Sequence, residues 1–411
     1  MADNDSTAAW DLLVRGGEVF EPEREAFARQ DVAVAGGKVA ALGPELATPP
    51  GCREVDAGGK IVTPGLVDAH MHAFPYVHLV GLDVDPLSSR SGVTTFVDAG
   101  TTGALNFLAF RHYVVERVRS NLFALLNVSA LGQVTHGLRG LEVLENDDLR
   151  FLYLPPAVDL VENNRDVIVG IKVRMYAGLT SLTPLAAARD LADEVGLPLV
   201  VHAVSPPPSF RDILPYLRAG DVVTHAYHPG PAAMVDRRGA VRPEYREARA
   251  RGVLFDTGSA RMFTHFPTIR AAVEQGFGPD LITTDLTSIT VDQDVIDLPT
   301  TLTKYVALGV PLAEALAKAT LGAARLLPPE RGIGRLAVGL PADLAVFALE
   351  EAELTYGDFF GNSVVARRRL VPWLTVKDGA VLAPQPHVPV PWRFITRGPN
   401  MVEVSAFYSG R

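Results

Sequence analysis

The sequence predicts a (β/α)₈ barrel with further β-structure at both ends of the chain. Three observations carry that expectation. Eight apolar runs recur at about the spacing of one strand plus one helix. Ionisable residues gather at the C-terminal ends of those runs. The two terminal segments share a style of short strands broken by glycine pairs.

The first segment reads as strands at Asp11–Gly16, Val32–Gly36 and Lys38–Gly43, interrupted by Gly36-Gly37 and Gly58-Gly59. The middle then alternates. Its apolar runs are Ile61–His72, Val93–Gly100, Asn121–Ala130, Val167–Ala177, Pro198–Val204, Asp221–Tyr227, Val253–Gly258 and Leu281–Leu286. Rich in Val, Ile and Leu, they suit strands buried on both faces of a parallel sheet. Counting the first from Val62, their starts lie 31, 28, 46, 31, 23, 32 and 28 residues apart. One βαβ unit takes about 30. The helix between the fourth and fifth runs has Thr183 as N-cap, Pro184 in its first turn and Gly196 as its stop. The widest spacing leaves room for an insertion near Leu131–Arg165, whose action as a lid stays open. The narrowest admits only a short helix after the fifth strand. Beyond the barrel, Leu344–Phe347 and Leu374–Val376 return to strands, and Pro384–Phe394 reads as an extended tail. An open doubly wound sheet has the same alternation; the placement of the ionisable residues favours the barrel.

The chain has 411 residues, enough for two or three domains at about 150 each. Its 48% apolar and 21% charged content is that of a globular protein and excludes a mostly disordered one. With 38 Lys and Arg against 47 Asp and Glu, the net charge is −9. That charge, with no dense basic run, argues against nucleic acid and anionic membrane as partners. No apolar stretch reaches the roughly 18 residues of a membrane span. Residues 1–13 carry Asp3, Asp5 and Asp11 without an early basic cluster, so they do not read as a signal peptide, and a cytoplasmic location is expected. The single cysteine, Cys52, excludes an intramolecular disulfide and a thiolate zinc site. Any metal must be held by His, Asp, Glu or a modified side chain.

His70 and His72 close the first strand, and residues i and i+2 on a strand face the same way. Lys172 lies in the fourth strand, with Arg174 two positions on. His202 and His225 lie near the ends of the fifth and sixth strands, and Asp285 near the end of the eighth. In a barrel these ends gather around one mouth. Four imidazoles and a carboxylate are suitable ligands for Zn²⁺ or a similar divalent ion. A buried ammonium does not suit such a place. The lysine is therefore either neutral or converted by CO₂ into a carbamate, which can bridge two metals sharing a hydroxide. Each residue also has an ordinary reading. Lys172 could pair with Asp98, and Asp285 could cap a helix. Their joint order and location favour the metal site.

The segment Val62-Thr63-Pro64-Gly65-Leu66-Val67-Asp68-Ala69-His70-Met71-His72 resembles the opening signature of the amidohydrolase superfamily. Val201-His202, Thr224-His225 and Thr284-Asp285 resemble its later metal-binding strands, and Gly334–Phe347 its returning terminal strand. The resemblance spans nearly the whole chain. It implies a metal-dependent barrel over 62–325 and a small β-sandwich built from 1–61 and 326–411. By the same resemblance His70, His72 and Asp285 bind a more buried ion, His202 and His225 a more exposed one, and Lys172 bridges them as a carbamate. Asp285 also serves as general base. Two divalent ions, Zn²⁺ by expectation, are the implied cofactors.

Within the superfamily, Phe74 stands where dihydroorotases carry an arginine, and the third strand's end, Asn127-Val128-Ser129-Ala130-Leu131, lacks the tyrosine of hydantoinases. Single-metal deaminases lack the fourth-strand lysine. Gly170-Ile171-Lys172-Val173-Arg174 and Val201-His202-Ala203-Val204-Ser205-Pro206-Pro207 look most like the deacetylase-like branch, related to dihydroorotases. The expected activity is hydrolysis of an acyl amide or ester on a small carboxylate-bearing molecule. The alternatives are a cyclic-amide hydrolase and a non-catalytic binding protein. Arg174 would hold the substrate carboxylate or pair with Asp98. Tyr76, His136, His228, Arg261 and His265 are further candidates for substrate contact, because loops after barrel strands line the mouth. The Arg367-Arg368-Arg369 run reads as a solvated or subunit-facing edge, and homo-oligomerisation stays open.

Overall fold

The computed structural model describes residues 10–77, 81–135, 144–176, 179, 181–203, 208–230, 233–291, 293 and 295–385. His136 and the end of the proline-rich tail lie outside these residues. In chain order the strands are β1 (Leu12–Glu21), β2 (Ala26–Ala35), β3 (Lys38–Gly43), β4 (Arg53–Asp56) and β5 (Ile61–Pro64). There follow β6 (Leu66–Met71), β7 (Val93–Asp98), β8 (Asn121–Asn127), β9 (Ile168–Met175), β10 (Leu199–Ala203), β11 (Val222–Thr224) and β12 (Leu254–Phe255). The last three are β13 (Leu344–Gly357), β14 (Ser363–Lys377) and β15 (Ala380–Val381).

Strands β6 to β12 form one parallel sheet in sequence order. The eighth apolar run is not a regular strand, yet it closes the ring. It bridges Asp256 to Leu281 on one side and Met71 to Leu286 on the other. Ser259 N donates to Thr283 O at 3.1 Å, and Asp285 N to His70 O at 2.7 Å. Inside the ring Val67, Ala69, Val97, Phe123, Val169 and Val200 pack with Ala323 and Leu326 from the segment after the barrel. The opposite strand faces pack on the helices, among them Leu66, Phe96, Ile171 and Val201. Burial on both faces is why these runs lack polar alternation.

The helix Thr183–Val195 begins one residue earlier than expected. Thr183 is its first residue rather than its N-cap, and Ser181 Oγ accepts the Thr183 N–H at 3.0 Å. Gly196 ends it in the left-handed conformation, at φ 64°. Among the described residues after β10 comes the one-turn helix Phe210–Ile213, continued by the 3₁₀ turn Leu214–Tyr216. The insertion contains the helix Pro155–Glu162 and a 3₁₀ turn at Leu149–Phe151.

The terminal segments build a second sheet in the order β15-β14-β13-β5-β1-β2-β3, with β4 also paired to β1. The expected β-sandwich is here one hydrogen-bonded sheet. The reason lies in β1, which pairs in parallel with β4 along Leu12–Arg15 and with β5 at Glu18 and Val19. Its register shifts between Val14 and Gly17, where a Cβ on Gly17 would meet Val62 at 2.5 Å. The far edge returns to the chain, as Val39 N donates to Leu340 O at 2.9 Å and Ala342 N to Gly37 O at 2.9 Å. The sheet thus curls around its own cluster, which includes Leu12, Val34, Val62, Leu344 and Val376. Strand β5, Ile61–Pro64, belongs to this sheet, so the division expected between 61 and 62 falls inside a strand.

Side-chain alternation along β13 joins the two units. Leu344 and Val346 enter the terminal cluster, while Ala345 and Phe347 enter the barrel's outer core. The contact is close: a Cβ on Gly92, which ends a barrel helix at φ 76°, would lie 2.6 Å from the Phe347 ring. Replacing the fully buried Phe347 by alanine is expected to cost about 3–5 kcal/mol, measured by urea unfolding.

Candidate metal centre

Six side chains from five barrel positions meet at the C-terminal end of the parallel sheet. His70 and His72 come from the end of β6, where the register with β7 shifts between Asp68 and Met71. Val67 and Ala69 pack inside the ring, whereas Met71, beyond the shift, packs outside. The irregularity therefore turns both histidines inward. His70 Nε2 lies 3.5 Å and His72 Nε2 3.4 Å from the same oxygen, Asp285 Oδ1. The His225 ring is 5.0 Å from that of His70 and 4.3 Å from that of His202. Single ligand atoms of His70, His225 and Asp285 all fall within 4.8 Å of one another. His225 and Asp285 hold positive φ values, 58° and 50°, which are sparsely populated for residues with a Cβ and collect at functional sites. No helix starts at Asp285, so the capping alternative does not apply.

The outer imidazole nitrogens are engaged, which aims the inner ones at the centre. His225 Nδ1–H donates to Gly258 O at 2.9 Å. His72 Nδ1 pairs with Thr101 Oγ1 at 2.8 Å. His70 Nδ1 pairs with Thr224 Oγ1 at 2.8 Å and lies 3.2 Å from Asp256 Oδ2. The Thr224 and Thr283 hydroxyls each donate to Asp256 at 2.6 Å. Such partners fix ring orientation and tautomer at metal sites. Burial holds the His70, His202 and His225 imidazoles below their usual pKa, so they stand neutral with a lone pair to offer. Burial pushes the Asp285 carboxyl up, but the hydrogen bond to His72 and the surrounding imidazoles outweigh it, and the net shift is downward.

Lys172 is fully buried and its Nζ has no hydrogen-bond partner. Desolvation lowers its pKa to about 8 against the opposing field of Asp285. It is pressed into place by Gly100, at φ 85°, where a Cβ would lie 2.6 Å from the Lys172 stem. An orphaned amine amid neutral imidazoles and a carboxylate is the donor set that divalent ions would complete.

The other expected residues are placed differently. Arg174 does not pair with Asp98, whose oxygens accept the N–H groups of Ala73 and Thr101 at 2.9 and 2.8 Å. It donates instead to the buried Glu145 at 3.0 Å. Glu145 belongs to the insertion, which is tied down further by Asn146 donating to Arg174 O at 2.8 Å and Tyr176 to Asp147 at 2.9 Å. His228 is buried, stacked on Phe210, and donates from Nδ1 to Pro229 O at 2.6 Å; its Nε2 has no partner. Arg261 reaches Gln293 at 3.4 Å and leaves its Nε buried and unpartnered. His265 is the N-cap of the helix Phe266–Glu274, with Nδ1 accepting from Thr268 N, so that nitrogen serves the helix rather than a ligand. Tyr76 is 73% exposed.

Several residues that shape the site were not singled out from sequence. Asp256 lies near the end of the seventh run, at the position expected of a site residue. Asp68 lies inside the opening motif; its carboxyl accepts both N–H and hydroxyl of Thr284, at 3.1 and 2.6 Å, and burial raises its pKa to about 7. Glu145 carried no local signal.

Residues 61–367 match the model of the amidohydrolase family, and the chain belongs to that family. It is a deacetylase-like, dihydroorotase-related member. A protein named Deacetylase Atu3266 from Agrobacterium fabrum is 29% identical over 385 residues, 93% of this chain and 92% of the relative. A deacetylase from Enterococcus faecalis is 30% identical over 329 residues, 79% of this chain and 87% of the relative. Crystal structures titled as an adenine deaminase and a dihydroorotase both superpose with TM-score 0.82 at 28% identity. They cover 90% of this chain and 99% and 98% of their own. Family and relatives support a hydrolase. No helix among the described residues is long and apolar enough to cross a membrane.

Burial lowers the His228 pKa to about 4. Between that value and the usual 6.5 the unfolded chain takes up a proton that the folded one refuses, so stability falls as pH drops through this window. His228→Phe, which does not titrate, is expected to flatten this slope in urea unfolding measured from pH 4.5 to 7.

Proposed function

We propose that this protein is a binuclear metal-dependent hydrolase that removes an acetyl or similar small acyl group from a carboxylate-bearing small molecule by cleaving an amide or ester. The observation that carries the reading is the orphaned Lys172 amine within the buried cluster of His70, His72, His202, His225 and Asp285. His70, His72 and Asp285 would hold one ion, His202 and His225 the other, and Lys172 both. As a neutral amine its nitrogen can add to the carbon of CO₂ and lose a proton, giving an anionic carbamate with two oxygens. Bound divalent ions, Zn²⁺ by the nitrogen and oxygen donor set, would supply a hydroxide at neutral pH and polarise the acyl carbonyl.

Asp285 has the geometry of the proton carrier. Its carboxylate is ionised, buried, and held by His72 and by the backbone bond to His70. It would take the proton of the attacking water as the new C–O bond forms and return it to the leaving nitrogen or oxygen as the acyl bond breaks. Arg174, already paired with Glu145, would share its guanidinium with a substrate carboxylate, and the unpartnered Arg261 Nε offers a second anchor.

A cyclic-amide hydrolase is the alternative, favoured by relatives named dihydroorotase, the first of which is 32% identical over 143 residues. Against it, Phe74 is 5% exposed and packed in the apolar core, where a dihydroorotase would carry a substrate-binding arginine.

Metal analysis of the purified protein should find close to two divalent ions per chain, and Lys172→Ala should lower this to one or fewer; full occupancy in the variant would refute the bridging role. A panel of N-acetyl amino acids and O-acetyl hydroxy acids should release acetate. Turnover confined to hydantoins, cyclic imides or dihydroorotate would move the protein to the alternative class.

A further inference from the structure

Phe263 is used in no step above, yet its ring lies against two candidate ligands. It sits on the 3₁₀ turn Arg261–Phe263 that follows β12. Its centroid is 4.1 Å from that of His225 and 5.2 Å from that of His202. These are the imidazoles assigned to the more exposed ion, so a group approaching that ion must share space with an apolar ring. The turn is entered through Arg261 at φ 35°, a conformation that a residue with a Cβ keeps only when its surroundings hold it.

What holds it belongs to the other sheet. The hairpin between β13 and β14 reaches over the barrel to this turn. Asp358 Oδ2 accepts the Phe266 N–H at 2.9 Å, at the positive end of the helix Phe266–Glu274. The same carboxylate accepts from Phe360 N, Asn362 N and Asn362 Nδ2, each at 2.9 Å, and is thereby fixed within the hairpin. Two aromatic contacts flank that bond. The Arg261 guanidinium stands 5.3 Å from the Phe359 ring centroid, and the His265 and Phe360 rings meet edge-on at 5.4 Å. The chain is gripped on both sides of Phe263, and the grip comes from three consecutive hairpin residues.

We infer that the β13–β14 hairpin is a working wall of the substrate site: Asp358 is a positioning residue that holds Phe263 against His202 and His225, and Phe263 limits the size of the acyl group that reaches them. The inference rests on the metal-dependent reading above and extends it to substrate size. A short acyl chain fits beside the ring, whereas a long one meets it. Removing the ring widens the site. Removing the Asp358 carboxylate frees the turn and widens it in the same sense.

The test reads binding rather than turnover. Acetohydroxamate and hexanohydroxamate, metal-directed probes of two lengths, are titrated calorimetrically into zinc-loaded protein. The wild type is expected to prefer the short probe. Phe263→Ala should shrink that preference about tenfold, the low end of what one methylene is worth in an apolar pocket. Asp358→Ala should shrink it in the same direction, with zinc content unchanged. The double variant should match Phe263→Ala alone, since both changes act through one ring. Asn362→Ala, which removes one donor to Asp358, is the milder second variant and should shift the ratio the same way with the fold kept. A ratio unmoved by Phe263→Ala, or moved by it but not by the hairpin variants, or strictly additive effects, would overturn the inference. Failure of acetohydroxamate to bind the zinc-loaded wild type would instead overturn the metal-dependent reading on which it rests.

Discussion

The Lys172 amine is fully buried in the barrel with no hydrogen-bond partner. An unsatisfied buried polar group costs about 1–3 kcal/mol, and an uncompensated charge costs more. The fields of Asp285 and Asp256 offset part of that cost, but neither carboxylate gives the amine a hydrogen bond. Gly100 approaches the lysine stem so closely that a Cβ there would lie 2.6 Å from it. The histidines around it are held neutral by burial, and Asp285 turns its oxygen toward His70 and His72. Cost and arrangement together make sense if the amine is completed by something the chain does not itself provide.

A second layer makes the cluster rigid. Thr101, Thr224, Asp256 and Gly258 O take up the outer nitrogens of three histidines, so the inner nitrogens have one direction left. The same layer closes the barrel. Thr283 and Thr284, the two residues before Asp285, are pinned to Asp256 and Asp68 on the two flanking runs. The eighth run needs this because it lacks a regular ladder of its own. Ring closure and ligand placement are therefore one set of hydrogen bonds, and a substitution that loosens one loosens the other.

The second sheet is more than a buttress. One face of β13 fills the barrel's outer core through Ala345 and Phe347, and the hairpin at its far end grips the turn that carries Phe263. Opposite it, Glu145 and Asn146 from the insertion are fastened to Arg174 on β9. Two segments remote in sequence are thus fixed at the same mouth, each by a buried or capped carboxylate.

Taken by itself, the sequence determined the period of the barrel, the terminal origin of the second sheet, and which six ionisable side chains meet at its mouth. All of these follow from local facts: strand-length apolar runs, their spacing, and ionisable residues placed at run ends. The carboxylate partners were not legible. Arg174 was read as holding a substrate carboxylate or pairing with Asp98, but Asp98 is consumed by the N–H groups of Ala73 and Thr101, and the arginine turns to Glu145, 29 residues away in an insertion without periodicity. His265, a candidate for substrate contact, spends its Nδ1 on capping a helix. The sandwich expected of the termini is a single curled sheet, because β1 divides one edge between two partners. Which hydrogen-bond acceptor a buried donor finds, and which edge a strand shares, depend on competition among groups distant in the chain. Only the tertiary structure decides that competition, since only there do the competitors stand within bonding distance of one another.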